Sequence, residues 1–379
     1  ISSAGHRRGA QMGVLRVDHP DIEAFITVKA NGDKLTNFNI SIGITDEFMA
    51  TVKAGGLFPL RFEGVIHKWV DAVALWNKIM RATWDWAEPG VLFIDRINKK
   101  NNLWYCETIA ATNPCGEQPL PPNGACLLGS QNLTKYMRWA DGTWWFDYEQ
   151  FEADVAPIVR AMDNIIDRTT YPLYEQEHEA KSKRRMGLGL LGVANAIEAL
   201  GHSYGSEGYL RVQKNIQVIQ RDAAYRASIE LAKEKGAFPL FDAELYSQGE
   251  FIQTLPLDIR KGIAEYGLRN SHLLSIAPTG TLALTADNAS SGIEPPFMLS
   301  YDRTIQTFDG PKVETVRDYG DHFFGVQGKI AGDVTPQEHV DVLILSSKYV
   351  DSAVSKTCNI GADVSFDEFK DVYMQAYDG

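Results

Sequence analysis

The segment Asn113-Pro114-Cys115-Gly116-Glu117-Gln118-Pro119-Leu120 carries an amide, a thiol and a carboxylate at alternate positions. In an extended loop, residues two apart share a side, so we expect Asn113, Cys115 and Glu117 to face one substrate. Cysteine offers a nucleophile or a hydrogen-atom acceptor, glutamate a general base and asparagine recognition of hydroxyl groups. The competing interpretation is a turn rich in proline and glycine whose polar residues are incidental.

A second thiol, Cys126, follows Cys115 by eleven residues. Two thiols at this distance can cycle by disulfide exchange, which favours the chemical interpretation. Residues 113–129 contain seven prolines and glycines and are predicted to form a long ordered loop. Such loops inside a compact domain are usually functional.

The composition is that of a globular protein, with 44% apolar and 23% charged residues. The length of 379 residues fits two to three domains or one large α/β barrel. A net charge of −12 argues against a nucleic-acid partner, and no apolar run is long enough for a membrane span. Only four cysteines in so long a chain indicate a reducing compartment, so we expect a cytoplasmic protein.

Hydrophobic spacing predicts the local structure. The pattern from Val65 to Met80 predicts an amphipathic helix, and further helices are expected at 149–167, 207–235 and 366–377. Asp141-Gly142 between tryptophans predicts a hairpin, and residues 273–277 a buried strand. Strands that alternate with helices indicate an α/β fold with mostly parallel strands.

Two patterns are weaker. Gly187-x-Gly189-x-x-Gly192 matches a dinucleotide motif, but a charged segment rather than a strand precedes it, so we expect these glycines to let a helix pack on a sheet. The acidic residues and histidine of 175–179 point around a helix, and no CxxC or HExxH spacing occurs. We therefore expect no metal site.

The turn Pro278-Thr279-Gly280-Thr281 lies between a predicted strand and a predicted helix. A helix N-terminus with unpaired N–H groups receives phosphate well, and glycine allows the ligand to approach the backbone. An ordinary N-cap turn is the alternative.

The segment around Cys115 resembles the finger loop of ribonucleotide reductases, and further similar segments follow in the family's order. They are His6-Arg7-Arg8-Gly9-Ala10-Gln11-Met12-Gly13, His19-Pro20-Asp21-Ile22, Arg185-Met186-Gly187-Leu188-Gly189, Ala277-Pro278-Thr279-Gly280-Thr281 and Gly292-Ile293-Glu294-Pro295. The Arg-Arg-Gly-Ala start, Ser355-Lys356-Thr357 and the short spacing from Cys115 to Cys126 resemble class II, the adenosylcobalamin-dependent enzymes.

The resemblance implies a ten-stranded α/β barrel with the finger loop, residues 113–129, in its centre. It implies that Cys115 forms a thiyl radical that removes the 3′-hydrogen, that Glu117 takes the 3′-hydroxyl proton and that Asn113 binds the ribose hydroxyls. Cys126 would be one of two thiols that reduce the 2′ position. The implied substrate-binding residues are Thr112, Asn113, Gly116, Pro278, Thr279, Gly280 and Thr281.

The resemblance also assigns regions and partners. Residues 1–13, with His6, Arg7, Arg8 and Gln11, would be the allosteric specificity loop, and 277–295 the phosphate turn with its following segment. The implied partners are a ribonucleotide, a deoxyribonucleotide or ATP effector, adenosylcobalamin, a thioredoxin-like thiol reductant and a second copy of the chain.

The chain departs from the family at its ends, since both termini look cut and the other redox cysteine is expected upstream of Ile1. We therefore expect a partial barrel that needs a missing N-terminal segment. Cys106 and Cys358 have no family role and are expected to be buried or incidental thiols. The alternatives are a class I subunit with a radical partner, a class III glycyl-radical enzyme and a segment inactive alone.

Overall fold

The computed structural model describes residues 2–3, 7–30, 32, 34–307 and 310–379. The strands are β1 (Ser2–Ser3), β2 (Arg7–Arg8), β3 (Gln11–Arg16), β4 (Phe38–Ile44), β5 (Leu57–Phe62), β6 (Val65–Asp71), β7 (Gly90–Phe93), β8 (Ala111–Thr112), β9 (Pro119–Leu120), β10 (Leu128–Asn132), β11 (Met137–Ala140), β12 (Thr143–Phe146), β13 (Gly187–Leu191), β14 (Ser300–Thr307) and β15 (Gly310–Arg317).

The helices occupy much of the remaining chain. They are α1 (Ile22–Ile26), α2 (Asp46–Ala54), α3 (Ala72–Trp86), α4 (Ile94–Lys100), α5 (Tyr148–Arg168), α6 (Tyr174–Lys183), α7 (Val193–Ala199), α8 (Glu207–Lys235), α9 (Ala243–Ser247), α10 (Glu250–Gln253), α11 (Leu257–Tyr266), α12 (Gly280–Thr285), α13 (Pro336–Ser347) and α14 (Phe366–Asp378), with short turns of 3₁₀ helix at Leu133–Tyr136 and π helix at Gly320–Phe324.

The parallel strands form two groups. The first is β3–β4–β7, with β4 in the middle. In the second, β10 pairs with β13, Leu188 of β13 bridges Leu274, and Ile276 bridges Val354, all in parallel. The predicted α/β content is confirmed, but the expectation of mostly parallel strands is wrong among the described residues. The pairs β1–β2, β5–β6, β8–β9, β11–β12 and β14–β15 are antiparallel. The strands found within 2–3, 7–30, 32, 34–307 and 310–379 do not close into a barrel.

Each parallel group belongs to its own apolar core. All five residues of β13 are buried, as expected for a parallel strand covered on both faces. Leu188 and Leu190 pack in the larger core with residues of α5, α7 and α8. Ile42 and Ile44 of β4 pack in the second core with residues of α2, α3 and α14. Helices on both faces of these strands therefore hold their ends in place.

Local signals predicted several elements correctly. The hairpin β11–β12 turns at Asp141 and Gly142, whose φ angles of 52° and 78° are those of a tight two-residue turn. Helix α5 begins after Asp147, which accepts a hydrogen bond from Gln150 N, and it continues through Pro157. Helix α8 ends at Gly236 as predicted.

The predicted helix from Val65 to Met80 is wrong in its first half. Residues Val65–Asp71 form β6, which pairs with β5, and α3 begins at Ala72 after the Asp71 cap. Val65 and Trp69 are four residues apart, and an even spacing fits one face of a strand as well as one face of a helix. Both side chains are exposed on the hairpin.

The interpretation of the glycine pattern also needs correction. Gly187 and Gly189 lie inside strand β13, so they do not pack a helix onto a sheet. A Cβ on Gly189 would lie 2.3 Å from Ser275 O, and one on Gly187 would lie 2.5 Å from Gln118 Nε2. These glycines let β13 approach residue 275 and the finger loop closely.

Two kinds of feature are absent from the described part of the chain. No helix there is long and apolar enough to cross a bilayer. No group of three or more His, Cys, Asp or Glu side chains in those residues is arranged to hold a metal ion.

Candidate active site

The finger loop begins with a tight turn. Gly116 N donates to Asn113 O at 3.0 Å, and Asn113 N donates to Gln118 O at 3.1 Å. The Asn113 side chain accepts from Gln118 N at 3.0 Å, and Gly116 has a φ of 84°. The expectation of an extended segment is therefore wrong for residues 113–116, because the backbone folds back on itself.

The turn separates the thiol from the carboxylate. Cys115 is exposed, and a Cβ on Gly116 would meet nothing within 4 Å, so the space beside the thiol is open. Glu117 is only 2% exposed. Its Oε2 is buried and has no hydrogen-bond partner among the residues that the structure describes. An unsatisfied buried carboxylate oxygen is costly, so Glu117 is a candidate site residue.

Both groups of parallel strands hold the turn. Glu117 O accepts from Ser275 Oγ at 2.8 Å and from Ala353 N at 3.0 Å, on the second group. Pro114 O accepts from Asn39 Nδ2 at 2.9 Å, on strand β4 of the first group. The turn therefore lies between the two groups, where a loop threaded into a barrel would lie.

Cys126 is close enough to the turn for charges there to change the pKa of its thiol. Although Cys126 as a residue is exposed, desolvation and, to a smaller extent, the charges of Glu117 and Cys115 raise the pKa of its thiol to about 11. The guanidinium of Arg185 acts in the opposite direction. Leu127 O accepts from Gly187 N at 2.8 Å, which fixes this end of the loop to β13.

The turn at 278–281 follows directly from the strand segment that contacts Glu117. Thr279 has a φ of 53° and makes no side-chain cap of helix α12, so the simple N-cap turn is not what forms here. Instead its Oγ1 accepts from Gly292 N at 2.7 Å. Gly280 is exposed, with nothing within 4 Å of an added Cβ, and it lines a cavity of about 330 Å³.

Glu294 closes the other side of this cavity. Its carboxylate accepts from Lys356 Nζ and from Thr357 N, both at 2.6 Å. The Lys356 side chain is only 2% exposed. Burial lowers the pKa of Lys356, while the charge of Glu294 partly offsets this. The ion pair fixes residues 356–357 beside Gly280.

The structure describes only part of the proposed effector loop, residues 1–13. His6 lies outside the described residues, and the side chains of Arg7 and Arg8 are not described. Their backbone forms β2, which pairs with β1. Gln11 begins β3 and donates from its backbone to Asn37 O at 2.9 Å.

The sequence reasoning missed Asp351. Its carboxylate accepts from the backbone N–H groups of Leu273 and Leu274, at 2.9 and 2.8 Å, and from Tyr225 OH at 2.7 Å. Burial raises its pKa to about 6. A lone aspartate between a helix and a loop gives no signal in the sequence, yet it aligns the strand that leads to the 278–281 turn.

The remaining cysteines are not buried. Cys106 and Cys358 are both exposed, which excludes buried thiols and leaves the alternative expectation of incidental thiols. Desolvation nevertheless raises the pKa of each thiol.

The protein is therefore an α/β protein that holds a thiol–carboxylate turn between two groups of parallel strands. The family model for the ribonucleotide reductase barrel domain matches residues 1–320, and the chain belongs to this family.

Several individual proteins of this family are similar to the chain. A vitamin B12-dependent ribonucleoside-diphosphate reductase from Mycobacterium tuberculosis is 34% identical, covering 100% of this chain and 56% of the relative. One of the same name from Thermoplasma acidophilum is 32% identical, covering 100% of this chain and 51% of the relative. A vitamin B12-dependent ribonucleotide reductase from Streptomyces clavuligerus is 26% identical over 99% of this chain and 48% of the relative. The chain thus spans about half the length of the relatives it matches.

Proposed function

We propose that these residues form the catalytic part of a class II ribonucleotide reductase, which converts ribonucleotides to 2′-deoxyribonucleotides. The bond from Ser275 to Glu117 O carries the proposal, because it joins the thiol–carboxylate turn to the segment that enters the 278–281 turn. A ribose at Cys115 and its phosphates at Gly280 would then contact two segments that this hydrogen bond holds together. The names of two of the relatives favour a nucleoside diphosphate.

Cys115 is the proposed hydrogen-atom acceptor. Its thiyl radical takes the 3′-hydrogen of the ribose and becomes a thiol, and the same hydrogen returns at the end. The exposed position of Cys115 supports this role, because the thiol must meet both the radical source and the substrate.

Glu117 is the proposed base for the 3′-hydroxyl proton. The proton moves to the carboxylate and returns to the 3′ oxygen at the end, while the 2′-hydroxyl leaves as water with a proton from one of the two reducing thiols. Burial of the side chain and the unsatisfied Oε2 support the role, because the substrate hydroxyl would supply the missing partner. The Asn113 side chain holds Gln118 N and so keeps Glu117 in place, while its amide group is available for a ribose hydroxyl.

Thr112 and Gly116 are proposed to contact the sugar, and the backbone of Pro278, Thr279, Gly280 and Thr281 to receive the phosphates. The open space at Gly280 supports this, since a phosphate must approach the backbone closely.

Cys126 is proposed to supply one of the two thiols that reduce the 2′ carbon. The two thiols give up two electrons and two protons and become a disulfide, which an external thioredoxin-like dithiol reduces for the next turnover. The proximity of Cys126 to Glu117 and Cys115 supports this assignment.

The residues at the turn fit a bulky radical-generating cofactor. The exposed Cys115 and the open space at Gly116 leave room for a large group to reach the thiol. When bound, adenosylcobalamin would supply the initial radical that Cys115 receives. The protein must present Cys115 to the radical source, which the exposed position of this residue allows.

Further features follow from the family. We propose that the two parallel groups are parts of a ten-stranded barrel around the finger loop, with 1–13 as specificity loop and 277–295 as phosphate segment. A nucleotide effector bound near 1–13, a homodimer and a cytoplasmic location belong to the same proposal.

The test is the reduction of cytidine diphosphate by the full-length polypeptide that carries these residues, with dithiothreitol and with or without adenosylcobalamin. We expect deoxycytidine diphosphate only with the cofactor. Equal product without it would contradict class II.

A further inference from the structure

Arg185 is a buried cation with a fixed partner. Its side chain is 7% exposed, and Nη2 donates to Glu107 Oε1 at 2.5 Å. The other oxygen of Glu107 accepts from Lys183 Nζ at 2.8 Å, and Lys183 also pairs with Glu179 at 2.6 Å. The four side chains alternate in sign, and Arg185 is the positive end.

The positive end lies at the finger loop. Arg185 and Cys126 line the same cavity of about 220 Å³, whose wall also contains the apolar residues Leu127, Ile165 and Ile166. Arg185 also lines a second cavity of about 290 Å³ that contains Gly116. One guanidinium therefore borders both the Cys115 turn and the Cys126 end of the loop.

We propose, building on the proposed function, that Arg185 is a positioning residue for the redox chemistry of Cys126: held by Glu107, its guanidinium stabilises the thiolate form. The thiolate is the form that attacks disulfides and electrophiles. A buried cation acts more strongly on a nearby anion than an exposed one does, because water screens it less.

The other charged groups around Cys126 make this role necessary. Burial, Glu117 and Cys115 all raise the pKa of Cys126, which stands at about 11, and Arg185 acts in the opposite direction. Glu179 and Tyr171 line the same cavity, and Glu179 is paired with Lys183. His272, whose Nε2 lies 3.3 Å from Arg185 Nη1, adds no charge because burial and Arg185 hold its pKa well below the usual range.

The experiment measures the alkylation of each cysteine by iodoacetamide across alkaline pH, with peptide mass spectrometry, on the full chain. The thiolate sulfur bonds to carbon and iodide leaves, so the rate follows the thiolate fraction. In Arg185→Gln we expect alkylation of Cys126 at pH 8 to fall about tenfold, as for one pKa unit. Arg185→Lys, which keeps the charge, should lose much less.

Controls separate charge from structure. Cys358 serves as the internal reference, and Arg160→Gln removes an exposed arginine that pairs with Glu234. If Arg185→Gln lacks the native circular dichroism spectrum, Glu107→Gln/Arg185→Gln removes both members of the pair and should show the same tenfold loss. An unchanged Cys126 profile in either folded variant overturns the proposal, as does failure of both to fold, which would mean a purely structural role.

The readout does not depend on turnover. A shifted profile in a protein that reduces no ribonucleotide would contradict the proposed function and leave the electrostatic role of Arg185 standing. An unchanged profile in an active reductase would do the reverse.

Discussion

The hydroxyl of Ser275 donates to the main-chain oxygen of Glu117 at 2.8 Å, across 158 positions of sequence. Three residues after Ser275 the chain enters the 278–281 turn, so this bond ties the proposed base to the proposed phosphate site. The same oxygen also accepts from Ala353 N, which joins a third strand segment to the turn. The two proposed sites therefore share one scaffold. We nevertheless expect substitution of Glu117 to change turnover and substitution of Gly280 to change substrate affinity.

Glu117→Gln should reduce turnover at least about 100-fold, because it removes the base and keeps the shape of the side chain. Deoxynucleotide formation under saturating substrate gives the measurement. Glu175→Gln, at an exposed position of α6, is the matched control and should retain full activity. Normal turnover in Glu117→Gln would remove this residue from the role of base.

Gly280→Val should weaken the binding of cytidine diphosphate about tenfold or more, because the larger side chain blocks the approach of phosphate to the backbone. The surrounding space is open, so the fold should tolerate the change. Isothermal titration calorimetry gives the dissociation constant, with Gly332→Val, at another open position, as the control. An unaltered dissociation constant would mean that residues 278–281 bind no phosphate.

Gly189→Ala should lower the free energy of unfolding by about 1–3 kcal/mol, as overpacking does in a dense core. The new methyl group would lie 2.3 Å from the backbone oxygen of Ser275, which cannot rotate away. Urea unfolding measures the change, and Gly332→Ala should be nearly neutral. Wild-type stability of Gly189→Ala would show that β13 and residue 275 are not in close contact.

Glu198 should make the protein less stable as pH rises. Burial raises its pKa from 4.5 to about 7, so the folded state binds the proton more tightly than the unfolded state does. The contribution of Glu198 to stability is then greatest below pH 4.5 and is lost as pH rises through 7, by up to about 3 kcal/mol.

Glu198→Gln should abolish this loss. Glutamine keeps an oxygen that can accept from Tyr204 N and Lys329 N, the present partners of Glu198 Oε1, and it carries no charge. Unfolding free energies at pH 5 and pH 8 give the comparison. The gap between variant and wild type should widen toward pH 8, and a constant gap would show that Glu198 does not titrate in this range.

Local signals in the sequence predicted the elements whose structure is decided locally. Asp141-Gly142 specified a tight turn, and Gly236 ended α8 because few other residues adopt a φ of 85°. The prediction of a helix from Val65 was wrong because a spacing of four fits the period of a strand as well as that of a helix. Pairing with β5 stabilises residues 65–71 as strand β6.

The candidate site was predictable in its residues and not in its geometry. Asn113, Cys115 and Glu117 were selected from their chemistry, but the turn that exposes Cys115 and buries Glu117 depends on Asn39, Ser275 and Ala353. These partners are distant in sequence and of ordinary types. Asp351 and Arg185 escaped for the same reason, since a charge becomes informative only when its burial is known.

Cys115 is proposed to carry the radical, and Cys115→Ser in the full-length polypeptide tests this role most directly. Serine is nearly isosteric, but its O–H bond is too strong for reversible hydrogen-atom exchange. The account predicts no deoxycytidine diphosphate above background with adenosylcobalamin and dithiothreitol, while calorimetry shows cytidine diphosphate binding close to that of the wild type. Clear multiple turnover by Cys115→Ser would contradict it.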